Sequence, residues 1–352
     1  MLVPSVTTKT IEAAVRNDLH PTMDYHALQA ALKADIFDYS ALEAESDSPF
    51  SRLARRAGKD AALAAAGYAR QRSYDVIFSN GENVGIPLAL LLKGLRKRPI
   101  HVLIGHRVSP AKKRLLLRSA SAQIDAIFLY STPQWEYAKQ ELAFPLAKLH
   151  LIPFHADHRF YRPTAAAVGS QRMICSAGLE WRDYPTLIEA VRYIDVDVKL
   201  AAASPWSKHR NETMDRELPR NVSAQRYDYN ELRRLYAESL FVVVPLYEND
   251  FQAGITTILE AMAMGKAVVT SRTKGQVDTI RHGINGLYVP PGDPASLRGV
   301  IQQLLNSPDM TARLGKQART DLEDGLTLDH WVDRISSVIR SLHVAARSAR
   351  LT

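Results

Sequence analysis

The segment from Gln252 to Thr270 contains the residues whose types and spacing best suit chemistry. It follows an apolar run, Phe241 to Pro245, and predicts a loop, a short helix, a glycine stop and a strand of an α/β sheet. In such sheets a helix that starts beyond a strand end offers free backbone amides and a positive dipole end to anions. Thr256 and Glu260 are four residues apart, so we expect them on one face of this helix.

Glu260 allows two interpretations at this stage. A carboxylate beside a phosphate site is suited to hydroxyl donors, such as a ribose diol, rather than to the phosphates themselves. Alternatively, Glu260 is an ordinary surface glutamate on an amphipathic helix whose buried side contains Ile255, Ile258 and Met262. The spacing alone supports both interpretations equally.

Bulk composition indicates an ordinary globular protein with room for two domains. The chain has 352 residues, of which 46% are hydrophobic and 23% charged. Its one cysteine, Cys175, cannot form an internal disulfide, which favours a reducing compartment. The first residues show no basic leader followed by an apolar stretch, and no apolar run approaches the ~20 residues of a membrane span. We therefore expect a cytoplasmic protein.

The net charge of +8 is concentrated in the first third of the chain. Such a basic region suits a membrane surface, a nucleic acid or a phosphorylated substrate, although a solvated surface is the ordinary alternative. The basic cluster of residues 111–118 also contains three leucines, which favours peripheral contact with an anionic membrane. No nucleic-acid partner is expected, because no binding motif accompanies the charge. The basic residues of this cluster are Lys112, Lys113, Arg114 and Arg118.

The order of helical and strand-like segments predicts two Rossmann-like domains. Residues 1–160 are predicted as the first domain, residues 161–328 as the second, and a last helix at about 329–352 is predicted to pack back on the first. Within the first domain the pattern predicts single helices over Arg52–Arg72 and Ile86–Leu95.

Three motifs together resemble one enzyme family. They are the segment Glu260–Val269, the turn from Gly283 to Asp293, and the segment from Gly178 to Leu187 with a basic residue at Arg182. This combination resembles retaining glycosyltransferases of the GT-B fold, family 4 type, and the resemblance is strongest between Ala177 and Arg319. It implies an α/β fold with two Rossmann-like domains facing across a cleft. It also implies transfer of a sugar from a nucleotide-diphosphate sugar to a glycan, lipid-linked or small-molecule acceptor.

The resemblance also implies residue roles. Arg182 corresponds to the basic residue that contacts the donor diphosphate, and Glu260 to the glutamate that holds the donor ribose. His106, Arg182 and Gln252 are the predicted catalytic residues, and Asn80 and Glu82 are predicted to face the acceptor. No cofactor and no metal are expected. The predicted donor-binding residues are Arg182, Lys208, Gln252, Ala253, Gly254, Ile255, Thr256, Thr257 and Glu260.

The chain departs from the family pattern at sites that affect function. Gln252 stands where the family has a first glutamate, and Leu179 stands where an arginine usually follows the glycine. These departures leave two alternatives open: a catalytically weak relic that binds nucleotide sugars or docks on membranes, and an epimerase or phosphorylase on the same fold. Asp195 and Asp197 resemble a metal-binding acidic pair, but their flanks predict the polar entry to a strand.

Overall fold

The structure is a computed structural model that describes residues 1–351 except 7–8, 45–47, 164–171 and 203–217. It divides into two compact units. The first unit contains Met1–Ala13, Thr22–Pro153 and Asp329–Thr352, and the second contains Ala14–Pro21 and Phe154–Leu328. The main change of unit therefore follows Pro153, where the sequence suggested residue 160, and the short segment 14–21 joins the second unit.

The first unit is built on a six-stranded parallel sheet with the order β2-β1-β3-β4-β5-β6. Its strands are β1 (Leu2–Val3), β2 (Phe37–Asp38), β3 (Val76–Ser79), β4 (Ile100–Gly105), β5 (Ala126–Leu129) and β6 (Leu149–Leu151). The helices up to its last strand are α1 (Lys9–Arg16), α2 (Asp24–Leu32), α3 (Tyr39–Ala44), α4 (Pro49–Ala57), α5 (Lys59–Ala69), α6 (Glu82–Leu92), α7 (Ala111–Ala120) and α8 (Thr132–Gln140).

Two helices of the first unit differ from their predictions. The single helix predicted over Arg52–Arg72 is two helices, α4 and α5, because Gly58 between them has a φ of +91° that a helix cannot include. Helix α6 begins at Glu82 rather than at Ile86, and it contains Pro87 in its interior.

The second unit has its own six-stranded parallel sheet with the order β12-β11-β10-β7-β8-β9. Its strands are β7 (Met173–Ala177), β8 (Asp197–Ala201), β9 (Val222–Gln225), β10 (Phe241–Val244), β11 (Ala267–Ser271) and β12 (Leu287–Val289). Its helices are α9 (Tyr184–Val191), α10 (Tyr229–Glu238), α11 (Ile255–Ala263), α12 (Pro294–Asn306) and α13 (Pro308–Glu323).

Strand β10 shows why this sheet must be covered on both faces. Its four residues are apolar, and each is at most 1% exposed. Phe241 and Val243 pack in one apolar cluster, whereas Val242 and Val244 pack in another. Alternate side chains of a strand point to opposite faces, so a continuous apolar run fits a parallel sheet between two helix layers.

The last helix, α14 (Leu328–Leu351), belongs to the first unit over nearly all of its length. Arg340 donates to the carbonyl oxygen of Ala31 at 2.9 Å, and His343 Nε2 lies 3.5 Å from a carboxylate oxygen of Asp75. In the part of the chain that the structure describes, no helix is both long and apolar enough to cross a membrane.

Candidate functional site

The strand order of the second unit places a ligand site at one point. The chain runs from β7 through β8 to β9 and then returns to β10 on the other side of β7. Neighbouring connections therefore leave β7 and β10 in opposite directions, which opens a crevice at their carboxyl ends. The loop after Ala177 and the loop after Val244 meet there, joined by a bridge between Arg182 and Leu246.

Arg182 is a buried cation at this crevice. The residue is 8% exposed, and its Nε donates to the carbonyl oxygen of Ala177 at 2.8 Å. One terminal nitrogen donates to the carbonyl oxygen of Glu180 at 2.9 Å and the other to the hydroxyl of Thr257 at 3.1 Å. These bonds use three of the five guanidinium N–H groups. Among the described residues no carboxylate forms an ion pair with Arg182, although Glu260 and Glu180 lie near enough for their charges to act on it.

Two glycines make room for this guanidinium. Gly178 has a φ of +90°, and a Cβ at that position would collide with the terminal nitrogen Nη2 of Arg182. Gly254 has a φ of +80°, and a Cβ there would lie 3.3 Å from Nη1 and 2.8 Å from a methyl group of Val244. Both positions therefore need glycine, for backbone conformation and for space.

Helix α11 starts at this point with an N-terminus that no side chain caps. Its N-cap residue is Gly254, no side chain caps it, and its first turn contains no acidic residue. The first amides of a helix have no partner within the helix, and the helix dipole makes this end positive. With the buried charge of Arg182 beside it, the helix start forms a cradle for an anion such as a diphosphate.

Glu260 lies one turn further along α11 and is also buried, at 7% exposure. Its Oε2 accepts a hydrogen bond from the hydroxyl of Tyr236 at 2.8 Å. Burial raises the pKa of Glu260 to about 7, although the hydroxyls of Tyr236 and Tyr161 and the charge of Arg182 lower it. The interpretation of Glu260 as an ordinary surface glutamate is therefore wrong.

The threonine that contacts Arg182 is Thr257, whereas the spacing in the sequence drew attention to Thr256. Thr256 is exposed, whereas Thr257 is buried and bonds Arg182 and the carbonyl oxygen of Ala177. Thr257 therefore ties the helix start to the loop after β7. Ala253 and Ile255, which were also predicted to bind the donor, are 3% and 7% exposed, so they can contribute backbone groups but little side-chain surface.

Gln252 lies in the loop before α11 and is 9% exposed. Its side-chain oxygen is buried and accepts no hydrogen bond from the described residues. A buried acceptor of this kind suits a hydroxyl donor. Nearby, Gln276 donates from Nε2 to the carbonyl oxygen of Ala253 at 3.0 Å, and its own side-chain oxygen is likewise without a donor among those residues.

Several residues of this site have no recognisable signal in the sequence. Tyr236, Tyr161 and Gln276 come from distant segments, and only the fold brings them to the loops around α11. Trp181 offered a weak signal as an aromatic residue beside Arg182, and its φ of +58° is a strained conformation for a residue other than glycine. The predicted donor residue Lys208 lies outside the described residues.

The predicted residues of the first unit lie after β3 and β4. His106 is exposed, its ring centroid is 5.5 Å from that of Tyr130, and it flanks Gly81. The side-chain oxygen of Asn80 is buried without a hydrogen-bond donor in the described parts of the chain. Both residues therefore remain candidates for contact with a substrate.

Glu82, predicted to face the acceptor, also has a structural role in the first unit. It is 4% exposed, its Oε1 accepts from the backbone amide of Arg107 at 2.6 Å, and it lies 3.5 Å from Nζ of Lys113. The side-chain oxygen of Gln134 accepts from the next amide, that of Val108, at 2.7 Å. Glu82 and Gln134 thus fix the loop that carries His106, and contact of Glu82 with an acceptor stays a prediction.

The basic cluster on α7 is mostly engaged with the protein itself. Lys113 bonds the carbonyl oxygen of Arg107 as well as lying near Glu82. Arg114 pairs with Glu141 at 2.7 Å, and Arg118 donates to the carbonyl oxygen of Glu141 at 2.9 Å. Lys112 is exposed, and so are two apolar side chains of the same helix, Leu115 at 76% and Leu116 at 47%.

Comparison with known proteins agrees with the resemblance seen in the sequence. The family model of glycosyl transferases group 1 matches residues 169–321, which lie in the second unit. An uncharacterized glycosyltransferase of Methanocaldococcus jannaschii is 27% identical over 134 residues, which cover 38% of this chain and 37% of that protein. The chain thus spans well under two thirds of this curated relative.

Solved structures share the fold along most of the chain. HepE of Anabaena, in complex with UDP and glucose, superposes with a TM-score of 0.71 at 16% identity, covering 97% of this chain and 98% of that one. Sucrose-phosphate synthase of Thermosynechococcus elongatus gives a TM-score of 0.70 at 20% identity, covering 85% and 81% of the two chains. The predicted resemblance to group 1 glycosyl transferases and the predicted GT-B fold class are therefore confirmed.

Proposed function

We propose that this chain, which carries a glycosyl transferases group 1 domain on a GT-B fold, moves a sugar from a nucleotide-diphosphate sugar to an acceptor. The observation that carries the proposal is the buried charge of Arg182, which has no carboxylate partner among the described residues and lies at the uncapped start of α11. A buried charge is costly unless it is paired. A diphosphate would supply the missing counter-charge.

The same residues can assist the reaction. As the bond between the sugar and the diphosphate breaks, negative charge grows on the departing diphosphate. Arg182 and the amides near Thr256 and Thr257 would stabilise that charge because they are already oriented in a site of low water content. Glu260 would hold the donor ribose. Gln252 and His106 would orient the transferred sugar, since both offer groups that bond hydroxyls.

The nature of the donor is supported by a structural neighbour. HepE of Anabaena was solved with UDP and glucose, which supports a nucleotide sugar as the donor of this chain. Its acceptor can be a glycan, a lipid-linked sugar or a small molecule, as in polysaccharide or glycolipid biosynthesis. Retention of the anomeric configuration follows from the family resemblance, and NMR of the product anomer tests it.

We also propose that the reaction needs no metal ion or other cofactor. Arg182 and the start of α11 supply positive charge at the diphosphate position, which is the role that a metal plays in other glycosyltransferases. Transfer should therefore continue at its full rate in excess EDTA. A rate that falls with EDTA and returns with added Mg²⁺ or Mn²⁺ would contradict this part of the proposal.

The direct test is a thermal-shift screen against a panel of nucleotide sugars. A ligand that binds only the native state raises the melting temperature by mass action, so the donor should stand out in the panel. Arg182→Ala should abolish that shift. Arg281→Ala is the matched control, because Arg281 is an exposed arginine of the same unit that pairs with Asp321. Absence of a shift throughout the panel, or equal shifts in the wild type and Arg182→Ala, would overturn the proposal.

Gln252 motivates a second candidate, a weak or inactive protein that only binds the nucleotide sugar. The donor identified in the screen should be incubated with acceptor mixtures from a cell extract, and transferred sugar should be measured. Tight binding without transfer would favour the binding protein. An epimerase or a phosphorylase is distinguished in the same assay, because it converts the donor or releases its products without a sugar acceptor.

We further propose a cytoplasmic location with peripheral contact to the inner face of the membrane. The support is the exposed part of α7, where Lys112 lies beside the exposed Leu115 and Leu116. A cation beside apolar side chains suits the headgroup region of anionic lipids. The protein should sediment with anionic vesicles at low salt, and Leu115→Ser should weaken this. Equal sedimentation with neutral and anionic vesicles would remove the electrostatic part of the proposal.

A further inference from the structure

The carboxyl of Glu260 is surrounded by tyrosines that the proposed reaction does not itself require. Tyr236 on α10 is 0% exposed and donates to Glu260 at 2.8 Å. Tyr161 is 2% exposed, and its ring centroid lies 6.2 Å from that of Tyr236. Burial raises the pKa of Tyr229, at the start of α10, and the nearby charge of Glu260 raises it further. These tyrosines surround a carboxyl whose only nearby cation among the described residues is Arg182.

We propose that Tyr236 is a positioning residue of the donor site, and that its hydroxyl keeps Glu260 ionised and oriented to accept the hydroxyls of the donor ribose. The inference rests on the proposed function and deepens it, because it says what allows a buried glutamate to bind ribose. Tyr236 does not touch the substrate in this proposal. It acts through Glu260.

The hydrogen bond from Tyr236 fixes the orientation of the Glu260 carboxylate. A carboxylate with two oxygens can rotate, and a buried hydroxyl that donates to one oxygen fixes the plane of the group. Tyr236 itself is held firmly, because it is fully buried and α10 begins with a reciprocal capping box between Asp228 and Glu231. The hydrogen bond uses one acceptor position of Oε2, and a carboxylate has further acceptor positions for a ligand.

Ribose binding also depends on the charge of Glu260. A protonated carboxyl has one oxygen that donates, so it cannot accept from both hydroxyls of a diol as a carboxylate can. Burial raises the pKa of Glu260 to about 7, and the hydroxyls of Tyr236 and Tyr161 together with Arg182 work against that rise. Ionisation of Glu260 is therefore balanced near neutral pH. Loss of one donor moves the balance toward the neutral acid.

The test measures nucleotide-sugar affinity as a function of pH. UDP-glucose and GDP-mannose are suitable probes, because their diphosphates are diesters with no proton that titrates near pH 7. Calorimetry between pH 6 and 9 should show wild-type affinity for the bound probe rising with pH. Tyr236→Phe keeps the ring and removes the hydroxyl, so its rise should begin at higher pH. Near pH 7 we expect about tenfold weaker binding, with recovery toward wild-type affinity at pH 9.

A matched control separates this effect from loss of packing. Tyr288→Phe removes another largely buried tyrosine hydroxyl of the same unit, on the edge strand β12, and it should leave the pH profile unchanged. Tyr161→Phe should move the profile in the same direction as Tyr236→Phe, and it provides a second variant should Tyr236→Phe fold poorly. The 2′-deoxy form of the probe should bind more weakly and lose most of its pH dependence, because it offers Glu260 one hydroxyl fewer.

The outcomes distinguish the inference from the proposed function. If the wild type binds neither probe nor any other nucleotide sugar, the proposed function fails and the inference fails with it. If the wild type binds a probe and both tyrosine variants keep the wild-type pH profile, the positioning role is overturned while the donor site stands. A uniform loss of affinity at every pH would also overturn it, since it would indicate a packing role only.

Discussion

Helices α6 and α11 begin in similar ways and end up with opposite properties. Each follows a buried parallel strand, each has a glycine N-cap with positive φ, and neither has a side-chain cap. The first turn of α6 contains Glu82, which is bonded to the amide of Arg107 and lies near Lys113. The first turn of α11 contains no acid and faces Arg182. The acid in the first turn of α6 is engaged within its own unit, whereas the first turn of α11 contains no acid.

The comparison shows how a structural charge differs from a functional one. Glu82 and Lys113 are both largely buried and neutralise each other within the first unit. Arg182 and Glu260 are both buried in the second unit, yet no ion pair joins them, and the pKa of each is shifted by burial toward its neutral form. Buried charges without an ion-pair partner lower stability, and buried groups with shifted pKa values occur preferentially at functional sites.

The largest expected effect comes from making α11 resemble α6. Thr256→Glu places a carboxylate in the exposed first turn of α11, where it takes the position of the expected anion. Repulsion should weaken nucleotide-sugar binding on the order of a thousandfold, while the acid stabilises the helix start by a few tenths of a kcal/mol or more. Calorimetry and melting temperature measure the two effects.

Thr256→Gln is the neutral control for that variant. It has nearly the same shape as the glutamate but carries no charge, so it should reduce affinity far less. Equal losses in Thr256→Glu and Thr256→Gln would mean that bulk, rather than charge, blocks the site, and the comparison of the two helix starts would lose its electrostatic basis.

The next effect concerns the stability of the unliganded protein. The pKa of Glu260 is raised from 4.5 to about 7 in the folded state, so the carboxyl favours folding below pH 4.5 and this contribution is lost as the pH rises through 7. Glu260→Gln, which cannot ionise, should therefore be more stable than the wild type at pH 8, by about 2 to 3 kcal/mol. The difference should shrink toward pH 5. Urea unfolding at both pH values measures it, and a difference that is independent of pH would contradict the assigned shift.

The smallest effect is expected for the matched glutamate of the first unit. Glu82→Gln keeps an oxygen that can accept from Arg107 but loses the charge that faces Lys113. It should destabilise the protein by about 1 kcal/mol at pH 8, opposite in sign to Glu260→Gln. Nucleotide-sugar affinity should stay unchanged. A stabilising Glu82→Gln would show that the two buried glutamates are alike and would remove the distinction between the units.

Local sequence was sufficient for the parts of the fold that depend on local chemistry. The apolar run of β10, the glycine before α11 and the proline at the start of α12 are each strong short-range signals, and the elements occur where these signals stand. The break between the two helices of Arg52–Arg72 was not predicted, because helix-forming residues flank Gly58 on both sides. Only the φ of +91° at Gly58 shows where the helix ends.

In the candidate site, too, some features could be predicted from the sequence and others could not. The sequence identified Arg182 and Glu260 through the family resemblance and the helix start through its spacing. It paired Glu260 with Thr256, because residues four apart share a helix face. The structure instead uses Thr257, since the loop after β7 approaches α11 from the buried side. The sequence also suggested an acceptor contact for Glu82. Its contact with Arg107 could not be predicted, because the two residues are 25 positions apart in the chain.

By itself the sequence determined the fold class, the resemblance to group 1 glycosyl transferases and the short helix within residues 252–270, because each of these depends on residue types at short and regular spacing. Only the tertiary structure decided which charges are paired. Arg182 donates to Thr257, 75 residues away, and Tyr236 donates to Glu260, 24 residues away. Burial then sets the free-energy cost of keeping each group charged. Pairing and burial depend on distant segments and on the exclusion of water, so neither can be read from neighbouring residues along the chain.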